Sequence, residues 1–114
     1  MKPVSRLHPL KHYLWGEQCD GWNLVDTPEL SVKMERMPPH TAEQMHFHQQ
    51  ARQFFFILKG IATFYFEGED PITVNAQEGL EIRPGLRHRI SNEGEEDLEF
   101  ILSSQPSTAA DRIQ

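Results

Sequence analysis

From residue 22 onward the chain is cut into short runs in which apolar and polar residues alternate, each closed by turn-forming residues. A period of two suits strands, whose successive side chains point to opposite faces of a sheet. In Glu29–Met34, Leu30, Val32 and Met34 alternate with Ser31 and Lys33. The same reading places strands at Glu43–His48, Gln53–Leu58, Ile61–Glu67, Ile72–Asn75, Leu80–Arg83, His88–Ser91 and Leu98–Ser103. Pro38-Pro39, Lys59-Gly60, Gly68-Glu69-Asp70-Pro71, Pro84-Gly85 and Asn92-Glu93-Gly94 supply turns between them. No segment past residue 22 holds a helical period. Roughly eight strands at this spacing predict an all-β jelly roll, two sheets closed over one core.

A chain of 114 residues suits one domain, residues 1–114. The barrel core is expected over about 22–103, preceded by an N-terminal segment, 1–21, of ambiguous structure and followed by an exposed tail, 104–114. Cys19 is the sole cysteine, so no intrachain disulfide forms, and the first twenty residues hold no signal-peptide core. A reducing, cytoplasmic setting is the expectation. The longest apolar run, Phe54–Leu58, is far too short to span a bilayer. A formal charge of −6 argues against nucleic acid, whose binders carry basic stripes. The expected partner is a small-molecule ligand.

Taken as a two-residue turn, Lys59-Gly60 would make a hairpin in which Leu58 faces Ile61, Phe56 faces Thr63 and Phe54 faces Tyr65. The other side of that ribbon carries Gln53, Phe55, Ile57, Ala62, Phe64 and Phe66. Both faces are then largely apolar, so one fills the barrel and the other needs a cover. A twofold copy of the chain is the expected cover, giving a homodimer.

His46-Phe47-His48 puts two imidazoles on one face of a strand, where they can share an ion. His88 opens a later alternating run that includes Ile90. Imidazole is the commonest ligand of Zn, Ni, Cu and Fe, so the three histidines are candidate ligands of one divalent metal ion.

The spacing around these residues resembles the cupin superfamily, whose motifs run G-x5-H-x-H-x3,4-E-x6-G and G-x5-P-x-G-x2-H-x3-N. Here the first reads His40-x5-His46-x-His48-x4-Gln53-x6-Gly60 and the second Gln77-x5-Arg83-Pro84-Gly85-x2-His88-x3-Asn92. Trp15 to Trp22, Arg52-Gln53-Phe54-Phe55-Phe56 and the late Asp111-Arg112 are similar to a short phosphomannose-isomerase-like, RmlC-like cupin subgroup. The resemblance implies a double-stranded β-helix and a divalent metal ion (Zn, Ni, Fe, Cu or Mn) held by His46, His48, His88 and the residue at position 53. Gln53 stands where the family has glutamate, which leaves the ligand set neutral and removes a base. His40 and Gln77 replace the two leading glycines, and Arg83 a proline.

The expected function is that of a metal-dependent enzyme, isomerase or dioxygenase in type, acting on a small oxygen-rich or anionic metabolite. The alternative is a non-catalytic cupin that binds or senses a small molecule or metal. Catalytic residues are not assignable, since nothing in the sequence places Glu35 or Glu81 near the ion. Phe55, Phe64 and Trp22 are candidate pocket lining, with Trp15 a weaker one, and Arg83, Arg87 and Arg89 are candidates to meet an anion at the barrel mouth.

Overall fold

A computed structural model describes residues 1–114. The chain forms twelve strands and no helix: β1 (Lys11–Trp15), β2 (Cys19–Asp26), β3 (Ser31–Met37), β4 (Thr41–Ala42), β5 (Phe47–His48), β6 (Arg52–Lys59), β7 (Ile61–Phe66), β8 (Ile72–Asn75), β9 (Gly79–Ile82), β10 (His88–Asn92), β11 (Leu98–Gln105) and β12 (Arg112–Ile113). They build a six-stranded sheet in the order β1-β2-β3-β11-β6-β9, a four-stranded sheet in the order β4-β10-β7-β8, and a two-stranded pair of β12 with β5. All pairings are antiparallel, and the all-β jelly roll read from the alternation is the fold.

The Lys59-Gly60 hairpin does not form. β6 pairs with β11 and β9, whereas β7 pairs with β10 and β8, so the chain leaves one sheet and enters the other at Gly60. Phe54 lies opposite Ser103 and Glu81, and Thr63 opposite Ser91 and Thr73. The tight type I′ turn needs positive φ at both central residues; here Gly60 has φ 83° and Lys59 is not in that region. A Cβ at Gly60 would sit 2.6 Å from the Asp97 carbonyl oxygen, so the corner admits only glycine. The apolar outer face of β6 is partly covered by its own rings: Phe54 stacks on Phe56 and lies across Gly79, where a Cβ would meet its Cζ at 2.4 Å.

Both ends of the chain are structured. β1 and β2 extend the large sheet, and the register places Tyr13 opposite Gly21 and Trp15 opposite Cys19. The segment expected to be an exposed tail returns to the barrel. Ser104 is buried, β12 pairs with β5, and the Asp111 carboxylate accepts the backbone N–H groups of Gln49, Gln50 and Ala51 at 3.0–3.2 Å. Three donors on one carboxylate hold its pKa below the usual range.

The interior is graded along the strands. Met37, Ile57, Ala62, Leu98 and Phe100 close one end. Gln53, Ser31, Ser104, His46, His48 and His88 are buried polar residues of the other.

Candidate metal centre

The two halves of the motif meet through backbone. His46 and His88 exchange N–H···O bonds of 3.0 and 2.8 Å in an isolated bridge, and Gly85 donates to the His48 carbonyl at 2.7 Å. The imidazoles consequently face one another, with ring centroids 4.5 Å apart for His46–His88, 5.1 Å for His46–His48 and 6.3 Å for His48–His88. All three residues are at most 5% exposed.

Hydrogen bonds fix the ring states. His46 Nδ1 lies 2.8 Å from the Gln44 carbonyl and His88 Nδ1 2.8 Å from the Leu86 carbonyl. A carbonyl only accepts, so each Nδ1 carries the proton and each Nε2 keeps a lone pair. Burial lowers the pKa of all three rings, that of His46 to about 3. They are therefore neutral near pH 7, the form that binds metals.

Gln53 is on the same wall. Its Nε2 donates to Ser104 Oγ at 3.2 Å, and its Oε1 is buried without a partner. His88 Nε2 and His48 Nδ1 are likewise buried without partners. Buried polar atoms are nearly always satisfied, and each orphan costs about 1–3 kcal/mol. Gln53 Oε1 and His88 Nε2 are acceptors left without donors, and these residues suit a divalent ion on that ground.

Glu43, missed in the sequence, joins them. Its carboxylate, His46 and His88 offer ligand atoms that lie within 4.8 Å of one another, a group that does not include His48. Oε1 accepts the Ile90 N–H at 3.1 Å, and burial pushes the carboxyl pKa up to about 8. Alternation in an unbroken strand over 43–48 would turn Glu43 away from His46. The chain instead breaks between β4 and β5, and that parity is lost.

These groups line a chamber of about 230 Å³ together with Tyr13, Trp15, Lys33, Glu35, Phe55 and Arg112. Glu35 projects here from β3 and accepts a hydrogen bond from the Tyr13 hydroxyl. Burial raises its pKa, with Tyr13 opposing the shift. The Tyr13 ring crosses Gly21, where a Cβ would lie 2.0 Å from Cζ, so glycine is what lets Tyr13 reach Glu35.

Of the lining expected from sequence, Phe55 and Trp15 face the chamber, and Phe64 and Trp22 do not. Phe64 is fully buried behind it, at 5.1 Å between ring centroids. Trp22 pairs with His12 on the opposite face from Tyr13 and Gly21 and borders a different depression, with Arg6 and Asp20. Trp15, three strand positions removed from His12, has the inward parity and takes that place. Glu81 is on the surface against Arg52, Arg87 pairs with Glu67 at 2.8 Å, and Arg89 covers the Tyr65 ring at 4.4 Å. Neither Arg83, Arg87 nor Arg89 lines the chamber.

Residues 33–104 match the Cupin domain family. The chain is a cupin. Among curated proteins this cupin is 30% identical over 66 residues to an oxalate-binding protein of Thermotoga maritima, a match covering 58% of this chain and about half, 54%, of that protein. Among solved structures it superposes on the polyketide cyclase RemF of Streptomyces resistomycificus with TM-score 0.79 at 16% identity, covering 94% of this chain and 80% of that one. It also superposes on a predicted oxalate decarboxylase of Thermotoga maritima with TM-score 0.75 at 19% identity, covering 85% and 91%. At such identities the structural likenesses establish the cupin fold and leave the chemistry to the site.

Proposed function

We propose that this cupin holds one divalent metal ion, from among Zn, Ni, Fe, Cu and Mn, through His46, His48, His88 and Gln53, and acts as a metal-dependent enzyme of isomerase or dioxygenase type on a small oxygen-rich or anionic metabolite. The observation that supports this reading is the set of buried polar atoms without partners, Gln53 Oε1, His88 Nε2 and His48 Nδ1, beside neutral buried rings. Glu43 adds the carboxylate that position 53 lacks. When bound, such an ion supplies Lewis-acid stabilisation of negative charge on a ligand oxygen.

The chain's own residues do the rest. Trp15 and Phe55 present apolar surface to the chamber and exclude water from it. Glu35 is the candidate to carry a proton at its carboxyl, oriented by the Tyr13 hydroxyl that it accepts. A chamber with a carboxyl on its wall favours catalysis over simple binding, the choice that the sequence left open. The curated relative's name points to a dicarboxylate as the first ligand to try.

Elemental analysis after reconstitution tests the reading: about one ion per chain in the wild type and little in His46→Ala with His48→Ala. Equal metal contents in the two proteins would sink it. Gln53→Glu is expected to bind the ion at least as tightly, by adding a charge to the ligand set.

A homodimer and a cytoplasmic setting belong to the same proposal. Phe54 remains 45% exposed on the outer face of the large sheet, and the N-terminal strands lengthen that sheet instead of covering it. Cys19 is buried as a free thiol, and no helix is long and apolar enough to cross a membrane. Sedimentation at micromolar concentration is expected to give twice the chain mass, and monomeric sedimentation would refute the dimer.

A further inference from the structure

Asp111-Arg112 is a feature that the metal site alone does not explain. Asp111 fastens the returning C-terminal segment to the backbone of Gln49, Gln50 and Ala51, directly after His48. Arg112 then pairs with His48 in the β12–β5 ladder and reaches the chamber wall. Its Nη1 lies 3.8 Å from Glu43 Oε2, beyond hydrogen-bond distance, and its side chain is 41% exposed. Lys33, on β3, lines the same chamber. No carboxylate comes within 4.0 Å of its Nζ, which lies 5.5 Å from the Tyr13 ring centroid.

Two cations thus face a small cavity beside the histidine cluster, Lys33 with no carboxylate within 4.0 Å and Arg112 with only a long ion pair, 3.8 Å, to Glu43. Of the two carboxyls nearby, Glu35 is engaged by the Tyr13 hydroxyl and Glu43 by the Ile90 N–H. At about 230 Å³ the chamber is smaller than the roughly 300–1,000 Å³ that holds drug-sized ligands, which limits the occupant to about ten heavy atoms.

We infer that Arg112 and Lys33 form a second anion-binding end of the chamber, so that its ligand is a short dianion, a dicarboxylate in class, spanning from the histidine cluster to these two side chains. The guanidinium matches a carboxylate with two parallel donors, and the ammonium adds a point charge on a flexible stem. This rests on the proposed function in placing the ligand's first carboxylate at the histidine end.

The experiment is calorimetric titration of metal-reconstituted protein with oxalate, malonate and succinate as dianions and acetate as the monoanion, with metal content measured on each sample. Wild type is expected to bind its best dianion at least tenfold more tightly than acetate. Arg112→Gln and Lys33→Met are each expected to remove most of that preference, with metal content and acetate affinity unchanged, and Arg112→Lys to restore part of it. The two variants lie on different strands, so misfolding of one, seen as a lost thermal transition, leaves the other to decide. Unchanged dianion affinity in the folded variants would overturn the inference and leave the cations as neutralisers of Glu35 and Glu43. A wild type that holds metal but shows no dianion preference would overturn it equally. Protein that takes up no metal would refute the metal site instead; an Arg112-dependent dianion preference persisting there would uphold the second anion end, and its absence would overturn both.

Discussion

The two ends of the barrel interior each bury an amide, and they treat it differently. At the apolar end, Asn92 donates from Nδ2 to the Met37 and Glu96 carbonyls, both at 2.8 Å, and accepts from Gly94 at 3.1 Å. At the histidine end, Gln53 makes one bond to Ser104 and leaves its carbonyl oxygen unpaired, as His48 and His88 leave a nitrogen each. One amide ties a turn to a strand; the other is left under-bonded in a place that chemistry can use. The apolar end therefore carries the stability and the histidine end gives part of it up, the usual relation between a scaffold and its site.

The largest expected effect is at the apolar end. Phe100 is fully buried, with Phe55 at 5.4 Å between ring centroids. Phe100→Ala should lose about 3–5 kcal/mol of unfolding free energy by denaturant titration, while the protein still folded keeps its metal. Asn92→Leu, which strands two carbonyls and an N–H, should cost about 2 kcal/mol in the same assay. Gln53→Met in metal-free protein should change stability by less than about 1 kcal/mol, since an orphan is removed with the one bond. Equal costs for the Asn92 and Gln53 substitutions would erase the contrast between the ends.

A smaller effect is expected at the motif positions where glycine is missing. His40 and Gln77 hold φ of 63° and 70°, the left-handed conformation that glycine adopts without strain. His40→Gly and Gln77→Gly should each raise stability by a few tenths to about 1 kcal/mol, read as a higher midpoint in thermal melts; lower midpoints would count against strain there.

The smallest effect concerns acid, on the outer side of the apolar end. Hydrogen bonding from Arg36 holds the Asp20 carboxyl below its ordinary pKa. The unfolded chain then binds the proton more readily than the folded one, so this contribution is complete above the ordinary carboxylate pKa and is lost as pH falls through the depressed folded value. Arg36→Gln should move the midpoint of acid unfolding to slightly higher pH, followed by fluorescence. No movement would show that the pair adds nothing to acid resistance.

Much of the histidine end was legible because its residues sit in two short motifs. His46, His48 and Gln53 fall along one stretch, and His88 comes with its own turn at Pro84-Gly85. The fold was legible from alternation, but the partner of each strand was not: local pattern gave β6 and β7 correctly as strands and wrongly as neighbours. The same limit hid the other chamber walls. Tyr13, Glu35 and Arg112 come from β1, β3 and β12, and only the pairing of distant strands brings them to the histidines. Glu43 escaped for the opposite reason, since alternation along a strand over 43–48 turns it away from His46, and the strand is broken there.

The strand order has a further consequence, for how the molecule is made. β11 lies between β3 and β6 in the large sheet, although it follows both in the chain. Until residues 98–105 arrive, β3 and β6 each present an unpaired edge, and that of β6 bears Phe54-Phe55-Phe56. Closure by so distant a strand is slow, and open apolar edges recruit other chains meanwhile. Yield on refolding should thus depend on dilution more than on final stability, and substitutions that weaken β11 should show first as aggregate, before any lowering of the melting temperature in the protein that survives.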